Sequence, residues 1–461
     1  MMLTDELLRA LDTPGPRYTS YPTADRFSDA FGAADYARAL AQRAARNVDR
    51  AGGGTLSLYV HLPFCASVCY FCACNKIITR HHERAAEYLQ ALETELELHS
   101  AALGPGQRIT QLHLGGGSPT FLSDAELAQL LQLIRARFVI ERDAEVAIEI
   151  DPRTVDPQRL QSLVAMGFNR ISFGVQDVDA QVQEAVHRVQ PIELVQALLE
   201  EARRLGIASV NVDLIYGLPK QTPESFARTI ACIAGLRPDR IAMYGYAHLP
   251  TRFKPQRRIH SVDLPSGAQR IGMLGQAISA LTAEGYVYVG MDHFALPDDE
   301  LALAKRRGLL HRNFQGYSTR PDQDLIGIGV SAIGRVGDTY SQNCKDLDGY
   351  YGALRQGRFP VVKGLALTRE DLMRRAIIMA LMCQGRIDFD AVDAAHDARM
   401  RTDFAYELEA MRPLAEQGLV QLATDSLSLT ELGWYFVRKV AGVFDCQLRA
   451  SQSREQYSRI A

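Results

Sequence analysis

The sequence predicts an α/β protein built on an open, partial (β/α)6 barrel, with an N-terminal extended arm and a mainly helical, winged-helix-like C-terminal domain. Six short β-rich runs alternate with amphipathic helical stretches between Thr55 and Ala247. Consecutive βα units favour a parallel sheet with right-handed crossovers. A closed barrel of this kind has eight strands, so six units predict a barrel that stays open on one side.

The strand candidates are rich in β-branched and other apolar residues, as strands are. They cover residues 56–61, 109–114, 145–150, 170–175, 209–215 and 240–246. Boundary signals mark the helices between them. Ser123 and Glu126 form a capping box that opens a helix over residues 125–138, and Gly167 ends a helix over residues 158–166.

The segments on either side of the barrel have different patterns. Residues 14–22 contain three prolines and no helical period, which predicts an extended arm. A capped helix is expected from Thr368, helical periodicity returns over residues 390–411, and a hairpin joins residues 418–422 to 427–429 before a last helix near Trp434. We therefore divide the chain into 1–54 (arm and lead-in helix), 55–364 (partial barrel and its extension) and 365–461 (C-terminal domain).

Composition excludes several classes of protein. The chain has 461 residues, 47% of them apolar and 23% charged, which is typical of a globular protein. The net charge of −3 and the acidic residues that recur over 388–416 argue against a nucleic-acid partner. We expect the C-terminal domain to pack over the barrel mouth instead.

Membrane and export signals are also missing from the sequence pattern. No apolar run approaches the ~20 residues of a membrane span, and the N-terminus lacks the pattern of a signal peptide. Eight cysteines in a long chain without an export signal do not indicate a disulfide framework. We expect a cytoplasmic protein whose partners include neither nucleic acid nor a membrane.

The most informative motif is the C-x3-C-x2-C run of Cys65, Cys69 and Cys72. Cubane iron–sulfur clusters are usually held by four cysteine thiolates, so a loop that supplies three leaves one iron open to another ligand. Zinc would be expected from two cysteine pairs, or from cysteine pairs joined by histidines at finger spacing. His81 and His82 follow the run, but a second C-x2-C does not. The spacing favours a catalytic iron–sulfur cluster over zinc, an inert cluster or disulfide cysteines.

Residues of types that are common in active sites lie at or just after the ends of the strand candidates. They are Tyr59, His61, the run Gly115-Gly-Gly-Ser118, Glu149, Asp151, Gln176, Asp213, Ala247 and His248. In barrel-like folds the active site lies at the C-terminal ends of the strands. Each residue alone has a structural alternative: Glu149, Gln176, Arg188 and Asp213 could be helix caps or ion-pair partners, and Ile333 has the pattern of a core residue.

The glycine run allows two interpretations. Glycines let the backbone approach a ligand closely, but a simple turn between strand and helix is equally consistent with them. A phosphate loop is excluded because no Gly-Lys-Ser/Thr follows, and the dinucleotide fingerprint is not matched.

Seven segments together resemble the oxygen-independent coproporphyrinogen III oxidase family of the radical S-adenosylmethionine superfamily. They are YVHLPFC (59–65), CACNK (72–76), HLGGGSPT (113–120), FGVQD (173–177), DLIYGLPK (213–220), MDHF (291–294) and LHRNFQGY (310–317). The similarity runs from Pro14 to residues 457–460. The fold that it implies is the partial barrel of the radical S-adenosylmethionine type.

The resemblance implies one [4Fe–4S] cluster and two S-adenosylmethionine molecules. Cys65, Cys69 and Cys72 would bind the cluster. Three residues match positions at the first, cluster-bound molecule, namely Tyr59, Glu149 and Ile333. Others match cofactor contacts, most of them to the second molecule, namely Phe71, Gly116, Gly117, Ser118, Gln176, Arg188, Asp213 and Ala247. Ser118 stands where the family commonly has threonine, and Cys74 is a candidate catalytic residue whose role the resemblance does not define.

The implied reaction, in haem biosynthesis, is the oxidative decarboxylation of two propionate side chains of coproporphyrinogen III to vinyl groups, giving protoporphyrinogen IX without oxygen. A reduced cluster would cleave the cofactor to methionine and a 5′-deoxyadenosyl radical, which takes hydrogen from the propionate. We also expect a low-potential electron donor such as a flavodoxin- or ferredoxin-type protein, and a monomer.

The substrate carries four carboxylates, so cations should line its cavity. Arg17, Arg257, Arg258 and Arg312 are candidates. Two alternatives remain: a haem-binding chaperone of the same family without oxidase activity, or another radical enzyme such as a methyltransferase. Chaperone relatives usually lack the equivalent of Cys74 and the long arm, and both are present here.

Overall fold

The computed structural model describes residues 15–47 and 54–450. Its strands, in chain order, are β1 Thr55–Leu62, β2 Phe64–Cys65, β3 Ile77–Ile78, β4 Arg108–Gly116, β5 Val139–Ile150, β6 Arg170–Gln176, β7 Ser209–Tyr216, β8 Arg240–Gly245, β9 Val287–Gly290, β10 His293–Ala295, β11 His311–Asn313, β12 Gly316–Ser318, β13 Asp324–Ile328, β14 Ile333–Val336, β15 Thr339–Asn343, β16 Val361–Ala366, β17 Arg386–Asp388, β18 Val420–Leu422 and β19 Ser426–Leu429.

The helices cover the outer faces of these strands and form most of the C-terminal part. They are α1 Ala33–Asn47, α2 Arg84–Leu103, α3 Asp124–Arg135, α4 Pro157–Met166, α5 Ala180–Ala185, α6 Ile192–Arg204, α7 Pro223–Leu236, α8 Gly267–Ala283, α9 Glu300–Arg306, α10 Leu347–Arg355, α11 Arg369–Gln384, α12 Phe389–His396, α13 Met400–Asp403, α14 Ala405–Ala410, α15 Arg412–Glu416, α16 Glu431–Tyr435, α17 Val437–Gly442 and α18 Cys446–Ala450. Within the described residues, none is long and apolar enough to cross a membrane.

The central sheet confirms the predicted open, parallel barrel. The six strands β1 and β4–β8 lie side by side in chain order and pair in parallel. The sheet extends beyond them: β13 adds a parallel strand beside β1 and leads into antiparallel β14, β15 and β16, while antiparallel β10 and β9 follow β8. Within the described strands, β16 and β9 remain edges, so the barrel is open.

The predicted boundary between the helix after Ser123 and the strand that follows it is wrong. The apolar pattern predicts that the helix after Ser123 extends to residue 138. In the structure, α3 ends at Arg135 and β5 begins at Val139. Phe138 is buried in the core without being helical, and the Val139 amide donates to the Gln107 carbonyl at 2.9 Å. The early part of β5 therefore pairs with the start of β4, which a polar stretch at residues 141–145 concealed.

Side chains alternate along the parallel strands, as the period of two requires. On β1, Leu56, Leu58 and Val60 are buried in the core beneath the helices. The residues between them are polar and point to the barrel interior. Ser57 donates to Gln111 of the next strand at 3.1 Å, so the interior is a hydrogen-bonded space rather than an apolar core.

Two side chains of α2 fasten the C-terminal end of β1 to the loop that precedes β14. The Tyr88 hydroxyl donates to the His61 carbonyl at 2.7 Å and accepts from the Val330 amide at 3.0 Å. Glu95, fully buried, accepts from the Gly329 amide at 2.7 Å. The same carboxylate accepts two side-chain hydrogen bonds, from Tyr350 at 2.6 Å and Asn343 at 2.7 Å.

As far as it is described, the arm contains no helix or strand over residues 15–22 and bends over residues 19–22, between the barrel and the C-terminal helices; Pro14 lies outside the described residues. The Tyr18 hydroxyl donates to Asp445 at 3.0 Å. On its other side, the Arg17 guanidinium lies 5.2 Å from the ring centroid of Tyr244 and 3.7 Å from a carboxylate oxygen of Asp292. The arm therefore contacts a barrel strand end as well as α18 and its approach.

The C-terminal part packs on the β11–β12 hairpin and the β9 edge. The Tyr317 hydroxyl donates to the Met382 carbonyl at 2.9 Å, and the Lys305 ammonium lies 3.9 Å from the Trp434 ring centroid. The predicted β18–β19 hairpin is present, with β17 as a third strand. The helical stretch predicted over 390–411 is broken instead, because Asp397 adopts a left-handed conformation that ends α12.

We predict that Glu95→Ala lowers the free energy of unfolding by about 3 kcal/mol, because three buried donors lose their acceptor. Urea denaturation monitored by circular dichroism measures the change. Glu97→Ala is the control on the same helix, since Glu97 is exposed and makes only a surface ion pair with Arg137. Equal loss of stability in the two variants would contradict the assigned role of Glu95.

The pH dependence of stability provides an independent check. Burial raises the pKa of Glu95 to about 7, against the hydrogen bonds from Tyr350 and Gly329. The unfolded carboxyl therefore ionises first as pH rises, and the folded state loses stability between pH 4.5 and 7. Glu95→Gln should flatten this part of the stability profile.

Candidate functional site

Two adjoining cavities open at the C-terminal ends of the parallel strands. The first, the cysteine cavity, has a volume of about 290 Å3 and contains the whole C-x3-C-x2-C run. The second, the wide cavity, has a volume of about 820 Å3. Residues of both include Cys74, Gly116, Glu149 and Tyr244.

Most of the predicted site residues line these cavities. The cysteine cavity is lined by Cys65, Cys69, Phe71, Cys72, Cys74, Gly116, Gly117, Ser118, Glu149, Gln176, Arg188 and Asp213. Tyr59 and Ile333 instead line the wide cavity, on the far side of Glu149. Ala247 lines neither cavity of the described chain, but its carbonyl and that of Phe71 accept hydrogen bonds from the same Gln256 amide, at 3.1 and 3.0 Å.

Hydrogen-bond donors surround the first two cysteine sulfurs. Burial raises the pKa of Cys65 to about 12, and a hydrogen bond with Ser118 opposes that rise. The Cys69 sulfur lies 3.4 Å from a guanidinium nitrogen of Arg188 and 3.8 Å from one of Arg153. Hydrogen-bond donors at cysteine sulfurs help to set the reduction potential of a bound iron–sulfur cluster.

Cys72 and Cys74 differ from each other. The hydrogen bond from the Cys74 thiol lowers the pKa of Cys72, and the charge of Lys76 adds to that effect. Lys76 is held over the loop because its ammonium donates to the Cys72 carbonyl at 3.0 Å. The pKa of Cys74 is raised, first by its pairing with Cys72 and then by burial. Cys72 and Cys74 are therefore neighbouring thiols that share a hydrogen bond.

The cysteine cavity brings together Cys65, Cys69 and Cys72, the three thiols that would hold an iron–sulfur cluster. Among the described residues, no group of three or more His, Cys, Asp or Glu side chains converges on a point that could hold one metal ion. A cubane cluster requires a wider arrangement, because each thiolate binds a different iron. The Nε of Arg188 is buried at this cavity with no hydrogen-bond partner in the described chain, which leaves a donor for an anionic cofactor group.

Glu149 lies at the junction of the two cavities. Its carboxylate accepts from the Gly116 amide at 3.1 Å and lies 3.2 Å from the Nε2 of His113. Burial opposes ionisation of Glu149, but the hydrogen bond and charge of His113 and the Gly116 amide lower its pKa overall. His113 was not among the predicted residues. Its position on β4, two residues before the glycine run and on the interior face, is the signal that could have found it.

The glycines of the run are required by packing. A Cβ on Gly116, whose φ is +114°, would lie 2.6 Å from the His61 ring, and one on Gly117 would lie 2.6 Å from the Pro63 carbonyl oxygen. His61 is itself fixed, because its Nδ1 lies 3.1 Å from the Tyr59 hydroxyl. The turn interpretation of the sequence is thus supported for these glycines, alongside their place on the cavity wall.

Asp213 and Arg188 are held by different networks. The Asp213 carboxylate accepts from the Ser172 hydroxyl and the Asn211 amide, both at 2.9 Å. Burial raises its pKa to about 6, and the hydrogen bond from Ser172 opposes that rise. Arg188 donates to Asp151 at 3.0 Å. The Asp213 carboxyl group therefore changes its protonation state near pH 6.

The four predicted cations do not line either cavity of the described chain. Arg17 and Arg312 are engaged with the rings of Tyr244 and Tyr317. Arg257 and Arg258 are exposed. They were favoured because arginine suits carboxylates, but the sequence does not reveal which way a side chain points.

Comparisons with known proteins agree with this geometry. The Radical SAM superfamily matches residues 59–233, and the HemN C-terminal domain matches residues 367–436. The oxygen-independent coproporphyrinogen III oxidase of Escherichia coli (strain K12) is 47% identical over 454 residues, which cover 98% of this chain and 97% of that protein. The protein of the same name from Pseudomonas aeruginosa is 46% identical over 457 residues, covering 99% of this chain and 98% of that protein.

A solved structure is also similar. It is described as coproporphyrinogen III oxidase (HemN) from Escherichia coli, a radical SAM enzyme. It superposes with a TM-score of 0.89 at 47% identity, covering 94% of this chain and 98% of that chain. The similarity therefore extends over the barrel and the C-terminal part alike.

We predict that alanine at Cys65, Cys69 or Cys72 abolishes the cluster absorbance obtained by anaerobic reconstitution with iron and sulfide, because each removes one of the three thiolates. Cys74→Ala should retain the absorbance, since Cys65, Cys69 and Cys72 already supply the three thiolates. Circular dichroism of the apoproteins controls for folding. A normal cluster in the Cys69→Ala protein, or its loss in Cys74→Ala, would refute the assignment.

We predict that Asp213→Asn leaves the iron content unchanged but weakens S-adenosylmethionine binding about tenfold, as expected when a charged acceptor of hydrogen bonds is lost. Calorimetry on the reconstituted protein measures the affinity. In the unmodified chain, binding should also weaken as pH falls through about 6, where Asp213 takes up a proton. An affinity that is unchanged by the substitution would remove Asp213 from the cofactor site.

Proposed function

This chain belongs to the oxygen-independent coproporphyrinogen III oxidase family of the radical SAM superfamily, and we propose on that basis that it decarboxylates coproporphyrinogen III. Two propionate side chains become vinyl groups, giving protoporphyrinogen IX in haem biosynthesis. The observation that carries the proposal is the cysteine cavity, in which the C-x3-C-x2-C loop meets Glu149 and Asp213 at the strand ends. The 46–47% sequence identity to proteins named as these oxidases, over nearly the whole chain, supports it.

We propose that Cys65, Cys69 and Cys72 hold one [4Fe–4S] cluster and that two S-adenosylmethionine molecules bind beside it. When bound, the cluster and cofactor supply the electron and the 5′-deoxyadenosyl radical that takes hydrogen from the propionate. The protein's contribution is to bind and orient. Two arginines approach the Cys69 sulfur, and the buried networks of Glu149 and Asp213 hold two carboxylates at fixed positions.

We further propose that the cluster-bound cofactor lies in the cysteine cavity and the second cofactor in the wide cavity. Gln176, Arg188 and Asp213 support this order because they share the cysteine cavity with all three cluster cysteines. Tyr59 and Ile333 line the wide cavity instead. This proposal exchanges the two sets of residues that the family resemblance implies for the first and second cofactor molecules. Glu149 lines both cavities and so lies between the two molecules.

The remaining cofactor residues are assigned by the same reasoning. Phe71, Gly116, Gly117 and Ser118 line the cysteine cavity, and Gln256 ties Ala247 to Phe71. Cys74 remains a candidate catalytic residue, because it lines both cavities and so separates the cluster site from the wide cavity.

We also propose the division of the chain at residues 54 and 364, a monomer, a cytoplasmic location and a low-potential electron donor such as a flavodoxin- or ferredoxin-type protein. All eight cysteines are free thiols, which suits a reducing compartment. The cluster needs a strong reductant, because sulfonium reduction requires a potential at the low end of the range that proteins impose.

Anaerobic reconstitution followed by chromatography of the porphyrin products tests the function. We expect loss of coproporphyrinogen III, formation of protoporphyrinogen IX, and release of 5′-deoxyadenosine with each vinyl group. The Cys69→Ala protein is the matched control and should form neither product. A methylated porphyrin would favour a methyltransferase, and haem binding without turnover would favour a chaperone.

A further inference from the structure

The wide cavity has two cations at its rim that no acidic side chain neutralises. Arg252 follows β8 and Lys345 follows β15, and both line this cavity. Among the described residues, neither side chain forms an ion pair or a hydrogen bond. Arg252 lies over the Phe253 ring, with 5.5 Å between guanidinium carbon and ring centroid. The Lys345 backbone is fixed, because its carbonyl accepts from the Asn75 amide at 3.0 Å.

A third cation stands beside them. Lys363, on β16, pairs in register with Gln342, which also lines the wide cavity. Burial lowers the pKa of Lys363, and the positive charges of Lys345 and Arg252 lower it further, with Asp25 as the opposing acid. Three neighbouring cations destabilise one another unless an anion lies between them. Arg252, Lys345 and Lys363 are called the cationic rim below.

The cavity between the cationic rim and Glu149 has an apolar wall. Phe253, Phe314, Leu325 and Ile333 contribute to it. Gln315 adds a polar group to this apolar wall. Both polar atoms of its side-chain amide are buried without a hydrogen-bond partner in the described chain. The layout suits a ligand with a broad apolar body, polar groups within it, and carboxylates at its edge.

We propose that Arg252 and Lys345, assisted by Lys363, bind the propionate carboxylates of the macrocycle that are not reacting, while the second cofactor occupies the part of the same cavity at Tyr59 and Ile333. Held in this way, the macrocycle presents another propionate toward Glu149 and Cys74. Arginine offers two parallel hydrogen bonds to a carboxylate, and lysine a point charge that tolerates several orientations. The proposal rests on the proposed function, because it takes coproporphyrinogen III as the substrate.

The test compares Arg252→Gln, Lys345→Gln and the double variant with the unmodified chain, all reconstituted anaerobically. Lys254→Gln is the matched control, since Lys254 is an exposed cation two residues from Arg252 and lines neither cavity of the described chain. The first readout is the dissociation constant of coproporphyrin III, the oxidised fluorescent macrocycle with the same four propionates. The second is the KM for coproporphyrinogen III.

Each single variant should raise the dissociation constant and the KM about tenfold, as expected for the loss of one charge-assisted hydrogen bond, while Lys254→Gln changes neither. The tetramethyl ester of coproporphyrin III should bind the unmodified and double-variant proteins equally, because its edge carries no charge. Arg252→Lys and Lys345→Arg should recover most of the affinity, and their cluster absorbance reports on folding.

Equal affinity for coproporphyrin III in the double variant and the unmodified chain would overturn the proposal. So would a loss of affinity for the ester as large as that for the acid, since it would indicate lost packing rather than lost charge. Failure of the unmodified chain to convert coproporphyrinogen III would instead count against the proposed function, and the binding comparison would still decide whether the cationic rim holds carboxylates.

Discussion

Along each parallel strand, alternate side chains point to the helices and to the barrel interior, and the interior set is mostly polar. Buried polar groups are costly unless they are hydrogen-bonded, so this arrangement obliges neighbouring strands to satisfy one another. Ser57 with Gln111 and Ser172 with Asp213 are cross-strand examples. The site depends on this constraint, because the carboxylates at the strand ends are the last members of the same interior rows.

Charged side chains beside the cysteine loop add to those rows. Arg153 and Arg188 share the Asp151 carboxylate and both approach the Cys69 sulfur. One acid thus positions two cations against Cys69, one of the three proposed cluster ligands. A cluster surrounded by cations is easier to reduce than one in an apolar pocket, since hydrogen bonds to the sulfurs and local charge set its potential. The charges at this site therefore come from Asp151 at the end of β5, from Arg153 in the helical turn that follows, and from Arg188.

Much of this architecture could be predicted, for identifiable reasons. The six parallel strands are local in sequence and carry their own apolar period, and the cysteine spacing is a local motif. What could not be predicted depends on contacts between distant residues. The partnership of Glu95 with Asn343, and the exposure of Arg252 rather than Arg17 to the cavity, leave no mark on the neighbouring sequence. The end of α3 was misjudged because Phe138 is buried by tertiary packing instead of helical packing.

The β11–β12 hairpin touches two parts of the molecule at once. Phe314 and Gln315 at its tip line the wide cavity. Tyr317, on β12, donates a hydrogen bond to the Met382 carbonyl in α11. The shape of the wide cavity thus depends in part on the C-terminal helices. A barrel excised as a minimal catalyst, or grafted onto a foreign C-terminal domain, would lose the support of that wall. Changes of substrate range in this architecture should accordingly arise by paired replacement in both regions.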